Sequence, residues 1–267
     1  MKKISIAIIT YNEEKNIEAC LNSVKDWADE IVVVDGSSQD KTREIAKKLG
    51  ARVIKTTNKT FFDSNKNMAI KACQSEWVFL LDADERITPE LRDEILSVVN
   101  KEPEAGQPVA FRLKRKNYFL GRFFKKGGQY PDPVIRLFKK GQAWLPDETV
   151  HQQLKVEGKI SWLKNDLVHW ATPEFSRYLL RERRYATLEA LQMIKDKVAL
   201  TPLTWIKYLI FRPKRTFFLI FIRHKGFIDG WQGFVFAFFS GFHHIWTFTE
   251  YLKIRFFKKK VDAGENW

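Results

Sequence analysis

The chain has 267 residues, 45% of them hydrophobic. That excludes a disordered chain and allows one good core, or one domain with a long appendage. Lys and Arg outnumber Asp and Glu by 46 to 32, a net charge of +14 that predicts an anionic partner: nucleic acid, a phosphate-rich ligand or a membrane surface. The two cysteines, Cys20 and Cys73, sit in no Cys-x-x-Cys or Cys/His cluster. A disulfide scaffold and a structural zinc site are thereby disfavoured, and two reduced, buried thiols in a cytosolic protein are expected.

The opening MKKISIAIIT has lysines followed by apolar residues, as a leader peptide does. Its apolar run ends at Thr10, is rich in isoleucine and shows no small-residue cleavage pattern, so it reads as a first strand over Ile4 to Ile9. Glu13 to Val24 reads as a helix. Glu30 to Asp35 (EIVVVD) is continuously apolar before its final acid, as a strand buried on both faces should be. A helix over Asp40 to Leu49 stops at Gly50, and Arg52 to Lys55 is a short strand. Asp63 to Cys73 is helical, Trp77 to Leu81 is a buried strand, and Pro89 opens a helix to Val99. This alternation predicts a mostly parallel sheet, an α/β fold that binds ligands beyond the carboxyl ends of its strands.

Three of those ends are polar. The first strand runs into Thr10-Tyr11-Asn12-Glu13, the second into Asp35-Gly36-Ser37-Ser38, and the strand from Trp77 into Asp82-Ala83-Asp84-Glu85. Each has a bland explanation. Asn12 would cap the next helix, Ser37 with Asp40 would form a capping box, and the acids would be a solvated loop. Three such ends converging on one edge of a sheet favour a site. Like charges packed as closely as Asp82, Asp84 and Glu85 repel, and a bound cation would relieve them. An Asp-x-Asp pair after a buried strand suits Mg²⁺ or Mn²⁺, which prefer oxygen ligands and bridge carboxylates to substrate phosphates.

After Asn100 the pattern changes. Val109 to Lys116 and Val134 to Lys139 read as strands. AWLPDETVHQQLKVEGKI brings Asp147, Glu148 and His151 within five residues, and Ser176 to Lys195 has the pattern of an amphipathic helix. From Leu203 to Phe257 lie 18 of the 38 aromatic residues, and Lys207 to Lys260 holds eleven Lys and Arg against two acids. The apolar stretches there are too short to span a bilayer. Aromatics flanked by Lys214, Arg215 and Lys258 to Lys260 instead predict helices lying on an anionic membrane surface. A packed helical subdomain or an oligomer surface is the plainer alternative. No nucleic-acid motif appears, so a nucleic-acid partner is not expected.

Taken together, AIITYNEEKNIEACLNSV, IVVVDGSSQDKT, SNKNMAI and WVFLLDADE resemble the nucleotide-diphospho-sugar transferases of glycosyltransferase family 2 over roughly the first 100 residues. PDETVHQQLKVEGKI, LVHW and RHKGFIDGWQGFVFAF are similar to the branch that contains bacterial lipopolysaccharide core β-1,4-glucosyltransferases. The resemblance implies a GT-A fold over residues 1–172, followed by a helical, membrane-interfacial region over 173–267. It implies an inverting hexosyltransferase that uses a nucleotide-sugar donor such as UDP-glucose, Mg²⁺ or Mn²⁺, and a lipid-linked saccharide acceptor, at the inner face of the cell membrane. Thr10, Tyr11, Asn12, Glu13, Asp35, Lys66, Asp82, Ala83 and Asp84 would bind the nucleotide, with Asp84 on the metal. The catalytic base would be Asp147 or Glu148. Relatives often carry His-Glu where this chain has His151-Gln152, which leaves the base between those two residues and His151.

Competing classes fit less well. A sugar-1-phosphate nucleotidyltransferase needs a glycine-rich basic loop after the first strand, and TYNEEKN is not one. A Rossmann dehydrogenase needs a Gly-x-Gly-x-x-Gly there. Transfer to a polyprenyl phosphate, or a non-catalytic membrane-binding module, are the alternatives that share the C-terminal features; the second leaves the three polar strand ends without a purpose.

Overall fold

Four apolar runs form the parallel half of the sheet. In the computed structural model, which describes residues 3–57, 62–102, 104, 106–146, 154–172 and 174–257, these are β1 (Ile4–Thr10), β2 (Glu30–Asp35), β3 (Arg52–Lys55) and β4 (Trp77–Asp82). Between them run helices α1 (Ile17–Asn22), α2 (Thr42–Lys48) and α3 (Phe62–Ala72). The short β5 (Glu85–Arg86) follows, then α4 (Pro89–Val99). Thr88 caps α4 by accepting a hydrogen bond from the Leu91 N–H, and Pro89 takes the first turn, where its missing N–H costs nothing.

The second half supplies β6 (Ala110–Phe119), β7 (Arg122–Phe123), β8 (Asp132–Lys139), β9 (Ala143–Trp144), β10 (Lys155–Val156), β11 (Ile160–Trp162) and β12 (Leu167–Thr172). The strand order is β3-β2-β1-β4-β8-β6-β12-β5. The run of parallel neighbours β3-β2-β1-β4 is followed by β8, antiparallel to β4, and β11 pairs in parallel with β6 off the main path. On both faces of β1, β2 and β4 the side chains are buried. Ile6, Ile8, Val33, Phe79 and Leu81 pack with Leu21, Leu91 and Ile95 on one side, while Ala7, Val32, Val34 and Leu80 pack with Ala69 and Ile70 on the other. This double burial is why the strand sequences are continuously apolar rather than alternating.

The chain divides into two compact units, one of residues 3–116 with 133–169, the other of 117–132 with 170–257. The second unit holds α5 (Phe175–Lys195), α6 (Pro202–Ile206), α7 (Arg212–Phe218) and α8 (Gly230–Phe257). Two π-helical turns, Lys207–Phe211 and Leu219–Arg223, join α6 and α7 into one helical run and extend it, and a 3₁₀ turn, Gly226–Asp229, leads into α8. Two aromatic clusters fill this unit: Tyr208, Phe248 and Tyr251 with Ala190 and Met193, and Phe119, Phe124 and Tyr178 with Phe236 and Phe239.

The RHKGFIDGWQG segment is a packing device. Asp229, almost fully buried, accepts hydrogen bonds from the N–H groups of Lys125 and Lys126 at 2.9 and 3.0 Å, and the Gly127 N–H donates to the His224 carbonyl. A Cβ at Gly233 would lie 2.0 Å from the Gly226 carbonyl oxygen, so only glycine permits that approach. Nearby, His243 of α8 sits between two carboxylates of α5, Glu182 at 3.1 Å and Glu189 at 3.3 Å. Burial pulls its pKa down, but the two carboxylates outweigh burial and raise it to about 9. No helix among the described residues is long and apolar enough to cross a membrane.

Candidate active site

The sheet register brings the polar strand ends to one level. Thr10 on β1 pairs with Asp35 on β2, and its neighbour Ile9 pairs with Asp82 on β4. Parallel strands that end together place their following loops on one rim.

On the β1–β2 side, Asp35 is fully buried and its carboxylate gathers the loop. Oδ1 accepts from the Ser38 N–H and from Arg43, and Oδ2 accepts from the hydroxyls of Thr10 and Ser38. Those four donors match the capacity of a carboxylate. The two loops are cross-linked further. The Asn12 N–H donates to Ser38 Oγ, the Asn12 side-chain oxygen accepts from the Gln39 N–H, and the Glu13 N–H donates to Thr42 Oγ1. Both Asn12 (φ 54) and Ser37 (φ 69) adopt the left-handed conformation that lets the loops turn back on each other. Asn12 thus caps the neighbouring loop and not its own helix. The Ser37/Asp40 capping box is not formed: Ser37 donates to the Thr56 carbonyl, and Asp40 accepts the N–H of Thr42, where α2 begins. Tyr11 and Glu13 are half-buried, and Glu13 accepts from the Asn16 amide.

On the β4 side, Asp82 is shared by two cations. Lys66 Nζ, from α3, is 3.0 Å from Oδ1, and Arg136 Nη2, from β8, is 2.5 Å from Oδ2. Burial opposes ionisation of Asp82, but Arg136 and Lys66 outweigh it and hold its carboxyl well below the usual range. The same Arg136 nitrogen lies 2.5 Å from Oε1 of Glu85, which is fully buried and whose Oε2 accepts the Asp82 N–H. Arg115 stands 3.4 Å from Glu85. Buried Ala83 gives its carbonyl to Arg86, which also reaches the Asn16 carbonyl across to α1. Like-charge repulsion in the Asp-Ala-Asp-Glu run is therefore relieved by protein cations at Asp82 and Glu85.

Asp84 points elsewhere. Its Oδ2 lies 3.4 Å from Nε2 of His169 on β12, which β5 holds nearby through the antiparallel pair His169–Glu85. The Asp84 carboxylate is the kind of oxygen donor that Mg²⁺ or Mn²⁺ takes, one or two carboxylates being completed by substrate phosphates and water, while the imidazole is not a ligand that Mg²⁺ favours. Among the described residues no group of three His, Cys, Asp or Glu could hold a metal ion by protein ligands alone. Asp84 and His169 would therefore supply at most two protein ligands to such an ion. Asp147, Glu148, His151 and Gln152 lie outside the described residues, as do Lys258, Lys259 and Lys260. An open groove of about 850 Å³ lined by Gln74, Glu76, Lys139 and Lys140 opens at the opposite, amino end of β4 and takes no part in the rim.

Arg136, Glu85's burial and His169's place beside Asp84 extend the residue set expected from the sequence. Arg136 left one signal there, an arginine inside the otherwise apolar run VIRLF.

A sheet whose parallel strands end in acids and hydroxyls on one rim, where Lys66 of α3 meets Asp82, has the layout of α/β enzymes that take a ligand beyond their strand ends. The model of the family described as glycosyl transferase family 2 matches residues 5–154, more than half the chain, and the protein belongs to this family. An uncharacterized glycosyltransferase of Rickettsia typhi is 28% identical over 276 aligned positions, covering all of this chain and 92% of its own. The lipopolysaccharide core biosynthesis glycosyltransferase LpsC of Rhizobium meliloti is 27% identical, over 88% of this chain and 89% of its own. Among solved structures, S. aureus TarS 1-349 in complex with UDP-GlcNAc aligns over 99% of this chain and 96% of its own, with a TM-score of 0.50 at 18% identity. The fold is GT-A-like, a mixed α/β sheet with flanking helices and a helical C-terminal region.

Proposed function

We propose that this glycosyltransferase moves a hexose from a UDP-sugar to a lipid-linked saccharide such as lipopolysaccharide core, with inversion at the anomeric carbon, while peripherally bound to the inner face of the cell membrane. The observation that carries the donor side is the common level of Thr10, Asp35 and Asp82 on three adjacent strands. The likeness to LpsC along most of both chains supports the acceptor class.

In this reading Thr10, Tyr11, Asn12, Glu13 and Asp35 form the nucleoside side of the rim. Asp35 organises the loop that receives the base, since its lone pairs are already engaged by Thr10, Ser38 and Arg43. Lys66, held at Asp82, supplies positive charge for the diphosphate. Asp82 and the buried Ala83 shape the floor under ribose and sugar. Asp84, beside His169, would hold Mg²⁺ or Mn²⁺, which when bound neutralises the departing diphosphate. The acceptor hydroxyl is a poor nucleophile at neutral pH. Asp147 or Glu148 would take its proton as the new glycosidic bond forms and the bond from the anomeric carbon to the diphosphate oxygen breaks. Attack from the face opposite the leaving group gives inversion.

The test is incubation with a panel of radiolabelled nucleotide sugars and lipid-linked saccharide, with the product's anomeric configuration read by NMR. Transfer from a UDP-hexose with inversion is the expected result. Transfer with retention, or from none of the donors, contradicts the reading.

A further inference from the structure

The helical unit exposes more large apolar side chains than a solvated surface needs. Along the run from Pro202 to Arg223, the residues Ile206, Ile210, Lys214, Phe218 and Ile222 recur every four positions and all are exposed. A four-residue spacing overshoots the roughly 3.6-residue α-helical turn, so such a row winds off its face. The two π turns, with their wider i→i+5 bonding, wind it in the opposite sense and keep the row on one side. On α8, Trp231, Phe234 and Phe238 form a second exposed stripe at helical spacing. Phe234 brings the second stripe against the same helical run: its ring meets Phe217 at 5.8 Å and Phe221 at 5.7 Å, the half-buried residues next to Phe218 and Ile222, and stacks towards Phe238. Contiguous apolar surface of this kind marks an interaction site.

Charge selects the occupant. From residue 197 to 228 there are seven Lys and Arg and no Asp or Glu. Lys207, Lys214, Arg215, Arg223 and Lys225 are exposed among the apolar side chains. Asp229, the acid that ends the run, is buried and spent on the backbone N–H groups of Lys125 and Lys126. A second copy of this face would bring like charges together, whereas an anionic bilayer offers both an apolar layer and counter-charge.

We propose that the helical run 202–223 and the first turns of α8 form a wedge that inserts in one leaflet of an anionic bilayer. Phe218, Ile222, Trp231, Phe234 and Phe238 sit below the headgroups, Lys207, Arg215 and Arg223 lie among the lipid phosphates, and Lys214, within the apolar row, reaches them along its own stem. The proposal deepens the membrane part of the proposed function and rests on it, but it is independent of the sugar transferred.

The native cysteines are buried, and burial pushes both thiols up, Cys73 to about 12. A single introduced cysteine can therefore carry an environment-sensitive fluorophore on the full chain. We expect labelled Phe218→Cys to shift to the blue with phosphatidylcholine vesicles containing phosphatidylglycerol, and to be quenched by brominated acyl chains. The same label at exposed Lys48→Cys, on α2, should not respond. The triple variant Phe218→Ser, Ile222→Ser, Trp231→Ser should bind those vesicles at least tenfold more weakly while releasing UDP from donor at the wild-type rate. An unchanged label at position 218 with all vesicles overturns the wedge. So does concentration-dependent dimerisation that buries the label without lipid. Vesicle insertion in a protein that releases no nucleotide from any donor leaves the wedge standing and refutes the proposed transfer reaction instead.

Discussion

Arg136 Nη2 lies 2.5 Å from Asp82 Oδ2, joining β8 to β4 at the point where the acidic run begins. Burial works against the guanidinium's charge, but Asp82 and Glu85 outweigh it and raise the Arg136 pKa further. Replacing Arg136 with Met would leave fully buried Glu85 with the Asp82 N–H and, among the described cations, with Arg115 at 3.4 Å. Loss of one partner of a buried pair costs about 3–5 kcal/mol. Urea unfolding of Arg136→Met should show a loss of that order, with Arg136→Lys intermediate. Equal stability of wild type and Arg136→Met would mean that the pair contributes nothing.

The proposed base, Asp147 or Glu148, rests on the family resemblance and is tested by substitution. Asp147→Asn and Glu148→Gln should differ, one losing about 10²-fold or more in turnover with donor binding intact. If both keep wild-type turnover, neither is the base and His151 becomes the candidate.

His243 makes stability depend on pH. Its folded pKa, about 9, lies above the ordinary histidine value of 6.5, so its contribution is full below about 6.5 and is lost as pH rises through 9. Beside it, the His244 pKa is lowered, by burial first and then by His243 and Arg212, and the Glu189 pKa is lowered mainly by its bond to His243. The melting temperature of wild type should therefore fall by several degrees between pH 6.5 and 9. His243→Gln should flatten that slope and be less stable at pH 6.5. A wild-type slope retained in His243→Gln would assign the dependence to other groups.

Gly233→Ala tests the close approach of α8 to the loop before it. Alanine is the better helix former by about 1 kcal/mol. Yet its Cβ would meet the Gly226 carbonyl oxygen at 2.0 Å, and backbone must shift. Overpacking typically costs about 1–3 kcal/mol, so denaturation should reveal net destabilisation. A more stable variant would contradict the packing described.

The parallel half of the sheet was legible in the sequence because its strands are buried on both faces and end in turn residues; β2 and β3 fall over the expected residues. Asp82 stood out as the acid that ends a buried strand, whereas Lys66 was singled out only through the family resemblance, since one lysine in a helix carries no signal of its own. Arg136 was not, because it meets Asp82 from 54 positions away and on a strand that pairs antiparallel. The His169–Asp84 proximity depends on β5, a strand of two residues that no periodic pattern can announce. The π turns were equally hidden, since helical spacing in the sequence does not distinguish a wide turn from a regular one. The expected start of α1 at Glu13 was early, because Asn12, Glu13 and Glu14 give their N–H groups to the loop around Ser38 to Thr42.

Calorimetric titration of UDP into wild type and Asp84→Asn, each with Mn²⁺ and with EDTA, addresses the rim as a nucleotide-sugar site most directly. Wild type should bind UDP at least tenfold more tightly with Mn²⁺ than with EDTA. Asp84→Asn should remain folded and bind equally in both. No UDP binding by folded wild type in either condition, or an undiminished Mn²⁺ effect in Asp84→Asn, would contradict the account.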